Sequence, residues 1–290
     1  LTLEMAAQIE KTVKLKKPFF AYMSHYAVHA PFNVDKRFQK LYSEKCKKLE
    51  YPKRMEAFGT LITGMDKSLG DLMDHLEKLN IAEDTLIVFL GDNGSDAPIN
   101  HNPNSVKNAA PLRGYKGAKY EGGMRVPAIF SWGKKADNEF QKRSPITQGL
   151  VTERFRNICD IFPTVLDIAG LKELTTKIDG QSLRPLLAGD TKAKACDEFL
   201  MHFPHNHRSN YFTIYRHGNW KVIYNYHAQG TKRYELYNLK HDLSENKNLA
   251  DSKPDLLREM MGRMIKSLEE HKAQYPLSKQ TKQSQKPELP

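Results

Sequence analysis

The 290-residue chain has few cysteines and no long hydrophobic run. Its three cysteines, Cys46, Cys159 and Cys196, include no closely spaced pair, which argues against a zinc knuckle or a dense disulfide framework. No apolar run approaches the roughly 20 residues of a membrane-spanning helix, and no charged-then-apolar leader opens the chain. Residues 3–13 look like the middle of an amphipathic helix, so we expect the chain to begin inside a larger protein.

Acidic residues are scarce relative to basic ones. The chain has 45 Lys and Arg against 34 Asp and Glu, a formal charge of +11, which favours anionic partners such as sulfated sugars, phosphate esters, nucleic acid or acidic membranes. Much of the excess lies in solvated-looking stretches, so charge alone does not choose among these partners. The chain is long enough to bury a real core, and its length predicts roughly two domains.

The first half of the chain predicts an α/β layer. Apolar runs over residues 19–25 and 85–90 predict buried strands, and residues 126–132 supply a third. Between the first two runs, apolar residues from Phe58 to Leu79 recur every three or four positions, as on one face of a long helix. The order strand, helix, strand predicts a largely parallel sheet covered by crossover helices.

The second half changes to aromatic, β-rich segments. These segments and the turn at His217-Gly218-Asn219 predict an antiparallel sheet, and apolar residues from Leu256 to Leu268 predict one packed helix. The polar C-terminal end should be disordered. The predicted boundaries are residues 1–195 for the α/β part, 196–278 for the antiparallel subdomain with its helix, and 279–290 for the tail.

Oxygen-bearing side chains follow the most apolar predicted strand. Asp92 and Asn93 stand between Gly91 and Gly94, directly after residues 85–90. Open α/β sheets place ligand sites at the carboxyl ends of strands, and Ca²⁺ and Mg²⁺ prefer oxygen ligands. A metal site and a simple tight turn are both consistent with this motif.

Two histidines follow the first predicted strand. His25 and His29 would open onto the same sheet edge as Asp92, where an imidazole binds an anionic oxygen or donates a proton to a leaving alkoxide. The structural alternative is a histidine held by a backbone carbonyl beside Pro31.

A basic, glycine-rich loop over residues 112–127 leads into the third predicted strand. Its glycines allow unusual backbone angles, and three or four of its cations could hold a tetrahedral oxyanion. A solvated surface loop is the alternative. Later in the chain, His205, His207 and Arg208 cluster in another loop, which we interpret as substrate-facing, with a structural role or a zinc site as alternatives.

Together these motifs resemble the sulfatase family, and within it bacterial arylsulfatase-like members acting on glycans. The resemblance rests on His29-Ala30-Pro31, on Gly91-Asp92-Asn93-Gly94, and on Gly-Tyr-Lys-Gly-Ala-Lys-Tyr-Glu-Gly-Gly over residues 114–123. It continues through residues 157–170, 179–187 and 234–250, and so covers nearly the whole chain. It implies an alkaline-phosphatase-like α/β fold, with a mixed, largely parallel sheet, flanking helices and a small C-terminal antiparallel subdomain.

The resemblance also implies a cofactor and residue roles. Sulfatases hold calcium, in preference to magnesium, beside a formylglycine made from Cys or Ser. Carried over by position, Asp92 and Asn93 are metal ligands. His29 and Lys116 are catalytic residues that hold the sulfate group and assist departure of the alcohol. We place His25 among the substrate-binding residues with His205, His207 and Arg208.

The sequence departs from the family in one important respect. The motif Cys or Ser, any residue, Pro, any residue, Arg, which supplies the formylglycine, occurs nowhere in the 290 residues. We expect it upstream of residue 1, together with an Asp-Asp pair and a Gly-Lys-any-His segment. The sequence therefore predicts a calcium-dependent sulfuric ester hydrolase by family, inactive as this chain alone. The alternatives are a phosphoester or phosphonate hydrolase of the same superfamily and a noncatalytic anion-binding fragment.

The predicted partner is an anionic sulfated small molecule or glycan. We expect no specific nucleic-acid partner and no membrane span, and we make no prediction of oligomeric state. Sulfatases of this kind imply an exported protein, periplasmic or extracellular in a bacterium.

Overall fold

The structure, a computed structural model, describes residues 1–96, 109–171, 177–193, 196–207, 209–278 and 281–290. Within these ranges the chain forms two compact units. The first contains residues 1–89 and 129–146, and the second contains residues 90–96, 109–128 and those from 147 onward. The domain boundaries predicted from the sequence stay a prediction.

Helices predominate in the first two thirds of the chain, and four of the six strands in the described ranges follow one another in the last third. The α-helices are α1 (Thr2–Lys14), α2 (Gln39–Lys48), α3 (Lys53–Lys78), α4 (Glu121–Met124), α5 (Glu139–Arg143), α6 (Ile161–Ile168), α7 (Arg184–Leu187) and α8 (Pro254–Glu270). The β-strands are β1 (Leu86–Leu90), β2 (Ala128–Trp132), β3 (Glu198–His207), β4 (Ser209–His217), β5 (Trp220–Asn225) and β6 (Tyr234–Asn238).

The first unit is built on the long helix α3, as its apolar periodicity predicts. Ile9 of α1 and Leu76 of α3 are buried together with Ala82, which follows α3. Helix α2 packs on the other part of α3, where the Tyr42 hydroxyl and Thr63 Oγ1 are 2.7 Å apart. The apolar stripe of α3 therefore binds two helices.

The sequence predicts parallel pairing in the α/β part, and this is wrong for β1 and β2, the two strands that pair there. β1 and β2 form a two-stranded sheet. Gly91 N donates to Pro127 O at one end and Gly133 N donates to Thr85 O at the other, so the pair is antiparallel. Residues 19–25 are irregular and mostly exposed instead of forming a strand. An apolar run becomes a strand only where a neighbouring strand completes its backbone hydrogen bonds, and no such neighbour occurs among the described residues.

The second unit contains the predicted antiparallel sheet, in the order β3-β4-β5-β6. Gly218, at φ +55°, makes the hairpin turn between β4 and β5. One face of the sheet, with Tyr215, Val222 and Leu236, packs on α8. The residues of α8 buried against it are Leu257, Met260, Met261, Met264 and Leu268.

The opposite face of this sheet carries the glycine-rich loop. Ile214, Ile223 and Tyr237 alternate with the α8-facing residues and pack against Tyr120 and Met124. The C-terminal sheet is thus covered on both faces, by α8 on one side and by the basic loop and α4 on the other. This packing positions the candidate site.

The C-terminal tail makes specific contacts where it is described. Leu277 and Ser284 form an isolated antiparallel bridge, and Gln285 N donates to Pro276 O at 2.9 Å. Glu288 accepts from Arg233 at 2.7 Å. The sequence predicts disorder here because the segment has almost no apolar residues, whereas these contacts are mainly polar.

Candidate functional site

The Asp92-Asn93 turn lies exposed at the carboxyl end of β1. Asp92 Oδ1 accepts from Asn93 N at 2.8 Å, and Asn93 Nδ2 donates to Gly94 O at 3.0 Å. Both bonds are local and fix the turn. They leave Asp92 Oδ2 and Asn93 Oδ1 without a hydrogen bond to any other described residue, so two oxygen donors of exposed residues have no protein partner there.

The basic loop packs directly on this turn. Gly94 N donates to Gly123 O at 2.9 Å, and Lys116 N donates to Ser95 O at 2.7 Å. These two bonds join the two residues that directly follow the Asp92-Asn93 turn, Gly94 and Ser95, to two points of the loop. The backbone of Lys116 and the predicted metal ligands therefore belong to one local structure.

Glycines make this close approach possible. A Cβ atom on Gly94 would lie 2.1 Å from Gly122 O, and one on Gly123 would lie 2.3 Å from Ala118 O. Both obstacles are backbone atoms, which do not move aside as a flexible side chain would. Gly114 and Gly117 also adopt φ of +85°, which L-residues with side chains rarely tolerate. The glycine spacing of this motif is thus a packing requirement.

The loop contains four cationic side chains that could bind an oxyanion. Three of them form hydrogen bonds or ion pairs with other residues of the protein. Arg113 donates to Glu245 O at 2.7 Å, and its guanidinium lies 3.7 Å from the centre of the Tyr120 ring. The other two engaged cations are Lys119, which pairs with Glu235 and donates to Asn225 Oδ1 at 2.6 Å, and Arg125, which donates to Glu121 Oε2 at 2.8 Å.

Lys116 is different. Its side chain is half-buried, and no hydrogen bond or ion pair joins its ammonium group to another residue within the described ranges. A half-buried ammonium group without a protein partner is suited to a ligand that carries negative charge. Lys116 is thus the cation of this loop that has no protein partner among the described residues, and its role in anion binding stays a prediction.

His25 and His29 belong to the first unit. His29 is exposed, its backbone N donates to Tyr26 O at 2.8 Å, and its Nδ1 lies 2.7 Å from Ala30 O. A carbonyl only accepts, so Nδ1 carries a proton and Nε2 is the nitrogen left for a ligand. Desolvation lowers the pKa of the half-buried His25. The convergence of His29 with Lys116 stays a prediction, since they belong to different units.

The predicted histidine-rich loop is wrong for His205 and His207, because both belong to the end of strand β3, where the backbone pairs with β4. His205 is exposed and packs edge-on against Phe203, with ring centres 5.1 Å apart. Arg208 and the side chain of His207 lie outside the described residues, so their predicted substrate contacts stay predictions. In the described ranges, no group of three or more His, Cys, Asp or Glu side chains could hold a metal ion.

His202, earlier in β3, has a structural role. Its Nε2 donates to Gln274 O at 2.7 Å, because a carbonyl only accepts, and its Nδ1 therefore accepts from Thr213 Oγ1 at 2.7 Å. Desolvation lowers the pKa of His202, and the backbone bond to Gln274 opposes this only in part. The ring thus joins β3 to the segment after α8 as a neutral group.

We expect His202 to make the stability of the chain depend on pH. The unfolded state binds a proton more readily than the folded state, so this stabilisation is complete above the ordinary histidine pKa of about 6.5 and is lost as pH falls below it. The pH dependence of the free energy of unfolding gives the number of protons taken up when the chain unfolds. In this pH range we expect wild type to take up as much as about one proton more than His202→Gln, as measured by thermal unfolding at a series of pH values. The exposed His271→Gln is the control, and an identical pH dependence in the His202 variant would contradict the prediction.

Sequence reasoning missed three charged residues beneath the loop. Glu121, Lys221 and Glu245 are buried. Lys221 lies on the loop-facing side of β5, in alternation with Val222, which faces α8. The position of Lys221 within the apolar segment Trp220–Asn225 could have indicated a buried charge. A lysine at such a position is also typical of a strand residue that faces solvent, so the sequence did not distinguish the two cases.

Comparison with known proteins identifies the family. A model described as "Sulfatase" matches residues 1–171, and one described as "N-sulphoglucosamine sulphohydrolase, C-terminal" matches residues 115–274. A sulfatase of Formosa agariphila is 30% identical over 85% of this chain and 44% of its own length. The canine N-acetylgalactosamine-6-sulfatase is 31% identical over 62% of this chain and 30% of its own length.

Solved structures give the same fold. The crystal structure of Ps i-CgsB in complex with k-i-k-neocarrahexaose superposes with a TM-score of 0.74 and 25% identity, over 92% of this chain and 53% of that one. This confirms the predicted alkaline-phosphatase-like α/β fold class. The chain spans about half the length of the Formosa agariphila sulfatase and of Ps i-CgsB, and less than a third of the canine enzyme. Among the helices that the structure describes, none is long and apolar enough to cross a membrane.

The glycine-dependent packing of a lysine loop on an Asp-Asn turn thus occurs in a chain whose length is covered by two sulfatase models, and the chain belongs to the sulfatase family.

Proposed function

We propose that this chain contributes the sulfate-binding part of a calcium-dependent site that hydrolyses sulfate esters. One observation carries the proposal. Among the cations of the glycine-rich loop, only Lys116 has no protein partner in the described ranges, and its backbone is hydrogen-bonded beside the Asp92-Asn93 turn. In this proposal the ammonium group binds sulfate oxygens and stabilises the charge that develops on them during cleavage.

Asp92 and Asn93 would hold the metal. Carboxylate and amide oxygens are the donors that calcium prefers, and each of these exposed residues has an oxygen with no hydrogen bond to another described residue. They fit calcium in donor type but supply only part of the roughly six to eight oxygens that it takes. When bound, the ion would supply positive charge next to the sulfate group.

His29 would act on the leaving alcohol. Its Nδ1 proton is held by Ala30 O at 2.7 Å, so the exposed Nε2 is the atom able to carry the proton given to a departing oxygen. The nucleophile is the formylglycine that family membership implies. Its Cys or Ser motif is not among the 290 residues.

The substrate we propose is a sulfated carbohydrate. One solved relative was crystallised with k-i-k-neocarrahexaose, and a curated relative is an N-acetylgalactosamine-6-sulfatase, so both names concern sugars. The formal charge of +11 also suits a polyanionic glycan. Because polymeric glycans occur outside cells, we further propose that the protein is exported.

Sulfate and phosphate esters with the same leaving group test the reaction class. The complete protein that contains this chain should hydrolyse 4-nitrophenyl sulfate with a kcat/KM at least about tenfold above that for 4-nitrophenyl phosphate, since Lys116 offers one charge to a singly charged ester. Faster phosphate turnover would favour the phosphoester hydrolase alternative. Lack of turnover of either ester, with anion binding retained, would favour the noncatalytic binding module.

The isolated 290-residue chain should be inactive toward aryl sulfates. It lacks the formylglycine motif, and its two predicted calcium ligands should bind the ion only weakly, with a Kd above about 1 mM. Calorimetry with calcium and an aryl-sulfate assay measure both properties. Appreciable turnover by the chain alone would mean that the nucleophile lies within these 290 residues.

A further inference from the structure

Three buried charges lie beneath the loop that carries Lys116. Lys221 is on β5, Glu121 begins α4, and Glu245 is in the turn after β6. Their side chains are 0%, 3% and 0% exposed. The reaction proposed above does not use them. Because burying a charge costs several kcal/mol unless it is paired, their presence requires an explanation.

The three side chains form one ion cluster. Lys221 Nζ lies 2.9 Å from Glu121 Oε1 and 2.7 Å from Glu245 Oε1. Glu121 also accepts from Arg125 at 2.8 Å. Burial would raise the pKa of Glu121, but Lys221 and Arg125 together hold it below its ordinary value. Burial raises the pKa of Glu245, and the attraction of Lys221 opposes this only in part. Two basic groups thus face two carboxyl groups in the cluster.

Glu245 joins the two ends of the loop. Its carboxylate Oε2 accepts from the Glu121 backbone N at 2.7 Å, and its backbone carbonyl accepts from Arg113 Nη1 at 2.7 Å. Lys116 lies between these two anchor points in sequence. One residue thus fixes both the start and the end of the segment that carries the predicted sulfate-binding ammonium group.

The residues that follow Glu121, Gly122 and Gly123, connect it to the rest of the loop and to the Asp92-Asn93 turn. Gly122 N donates to Arg113 O at 2.7 Å, and Gly123 O accepts from Gly94 N at 2.9 Å. If Glu121 shifted, both bonds would be displaced. The buried cluster therefore lies at the base of the contacts that join the loop to the turn.

We propose that Lys221, Glu121 and Glu245 are positioning residues that hold the Lys116 loop in the geometry needed to bind sulfate. The inference rests on the proposed function for the ligand, but its structural part, that these charges fix the loop, is independent of it. A buried ion pair contributes little net stability compared with apolar residues of the same size. Its value here lies in fixing one arrangement of the loop.

The double variant Lys221→Met, Glu245→Gln tests the proposal. It keeps the side-chain volumes and leaves Glu121 paired with Arg125. It removes the ion pair to Lys221 and replaces the charge-assisted bond from the Glu121 N–H by a weaker bond to a neutral amide, so the hold on the loop should loosen. We expect the melting temperature to stay within about 3 °C of wild type, because a buried pair is often replaceable by neutral isosteres. Amide exchange over residues 113–123 should rise at least about tenfold, without a comparable rise in β4 and β5.

Turnover provides the second readout. In the complete protein, the double variant should lower kcat for an aryl sulfate by about tenfold or more, since a displaced Lys116 no longer meets the reacting sulfate group correctly. The matched control is Lys266→Met, Glu270→Gln, which makes the same two changes in an exposed pair on α8. It should alter neither amide exchange in the loop nor turnover.

The outcomes separate the two proposals. Unchanged loop exchange in the double variant overturns the positioning role, and so does a rise in exchange that is equal in the loop and in β4 and β5, which would indicate a general structural role. A local rise in loop exchange together with wild-type kcat also overturns it. If the wild-type protein hydrolyses no sulfate ester while exchange rises locally, the proposed function fails and the structural hold on the loop stands.

Discussion

The Gly123→Ala variant should lose the loop on which the candidate site depends. Its new Cβ atom would lie 2.3 Å from Ala118 O and 2.7 Å from Tyr115 O, both backbone atoms. We expect a destabilisation of about 3 kcal/mol or more, because either the loop or the glycine backbone must move. For a chain of this size that corresponds to a fall in melting temperature of roughly 6–12 °C.

A matched glycine gives the control for this prediction. Gly262 lies inside α8, and a Cβ atom there would meet no atom within 4 Å. Gly262→Ala should therefore be neutral or stabilising by up to about 1 kcal/mol, because alanine is the better helix former. Thermal unfolding of both variants measures the difference. If the Gly123→Ala variant has the same melting temperature as wild type, the close packing of loop and turn is not needed for stability.

Lys116→Ala should separate catalysis from stability. The ammonium group has no partner among the described residues, so its removal leaves no protein group unsatisfied, and the melting temperature should not change. In the complete protein, kcat/KM for an aryl sulfate should fall by about 10²–10³, the typical effect of removing one donor to a developing oxyanion. Lys116→Arg should recover part of this loss by retaining the charge.

A neighbouring lysine provides the contrast. Lys119 pairs with the mostly buried Glu235 and donates to Asn225, so Lys119→Ala leaves a carboxylate without its main partner. We expect this variant to lose about 1–3 kcal/mol of stability. If Lys116→Ala retains full turnover, or if it destabilises the chain as much as Lys119→Ala does, the assignment of Lys116 as the anion-binding cation is wrong.

The sequence predicted those features that depend on local pattern. The stripe that ends at Leu79 predicted α3, the run ending at Leu90 predicted β1, and the turn at Gly218 predicted the β4-β5 hairpin. The order of the short motifs identified the family, because residues such as Asp92 and the glycines of the basic loop occur at characteristic spacings. Each of these signals lies within a few tens of residues, where periodicity, turn chemistry and motif spacing can be read directly.

Local sequence patterns could not predict whether β1 and β2 pair in parallel or antiparallel. Parallel and antiparallel neighbours both look like apolar runs, and the decision came from bonds such as Gly133 N to Thr85 O, across nearly 50 residues. The run at residues 19–25 was predicted as a strand for the same reason. Its composition fits a strand, but pairing is a tertiary property.

Sequence alone determined that this chain is a sulfatase-family protein with a cation-rich glycine loop and an oxygen-bearing turn after its most apolar strand. Only the tertiary structure decided which loop cations pair with protein groups and why Lys221 and Glu121 are buried. The partners of Arg113, Lys119 and Glu121 lie 100 or more positions away in the sequence. A charged residue has the same local pattern whether it faces solvent, a buried counter-charge or a substrate, and only folding brings the deciding partner next to it.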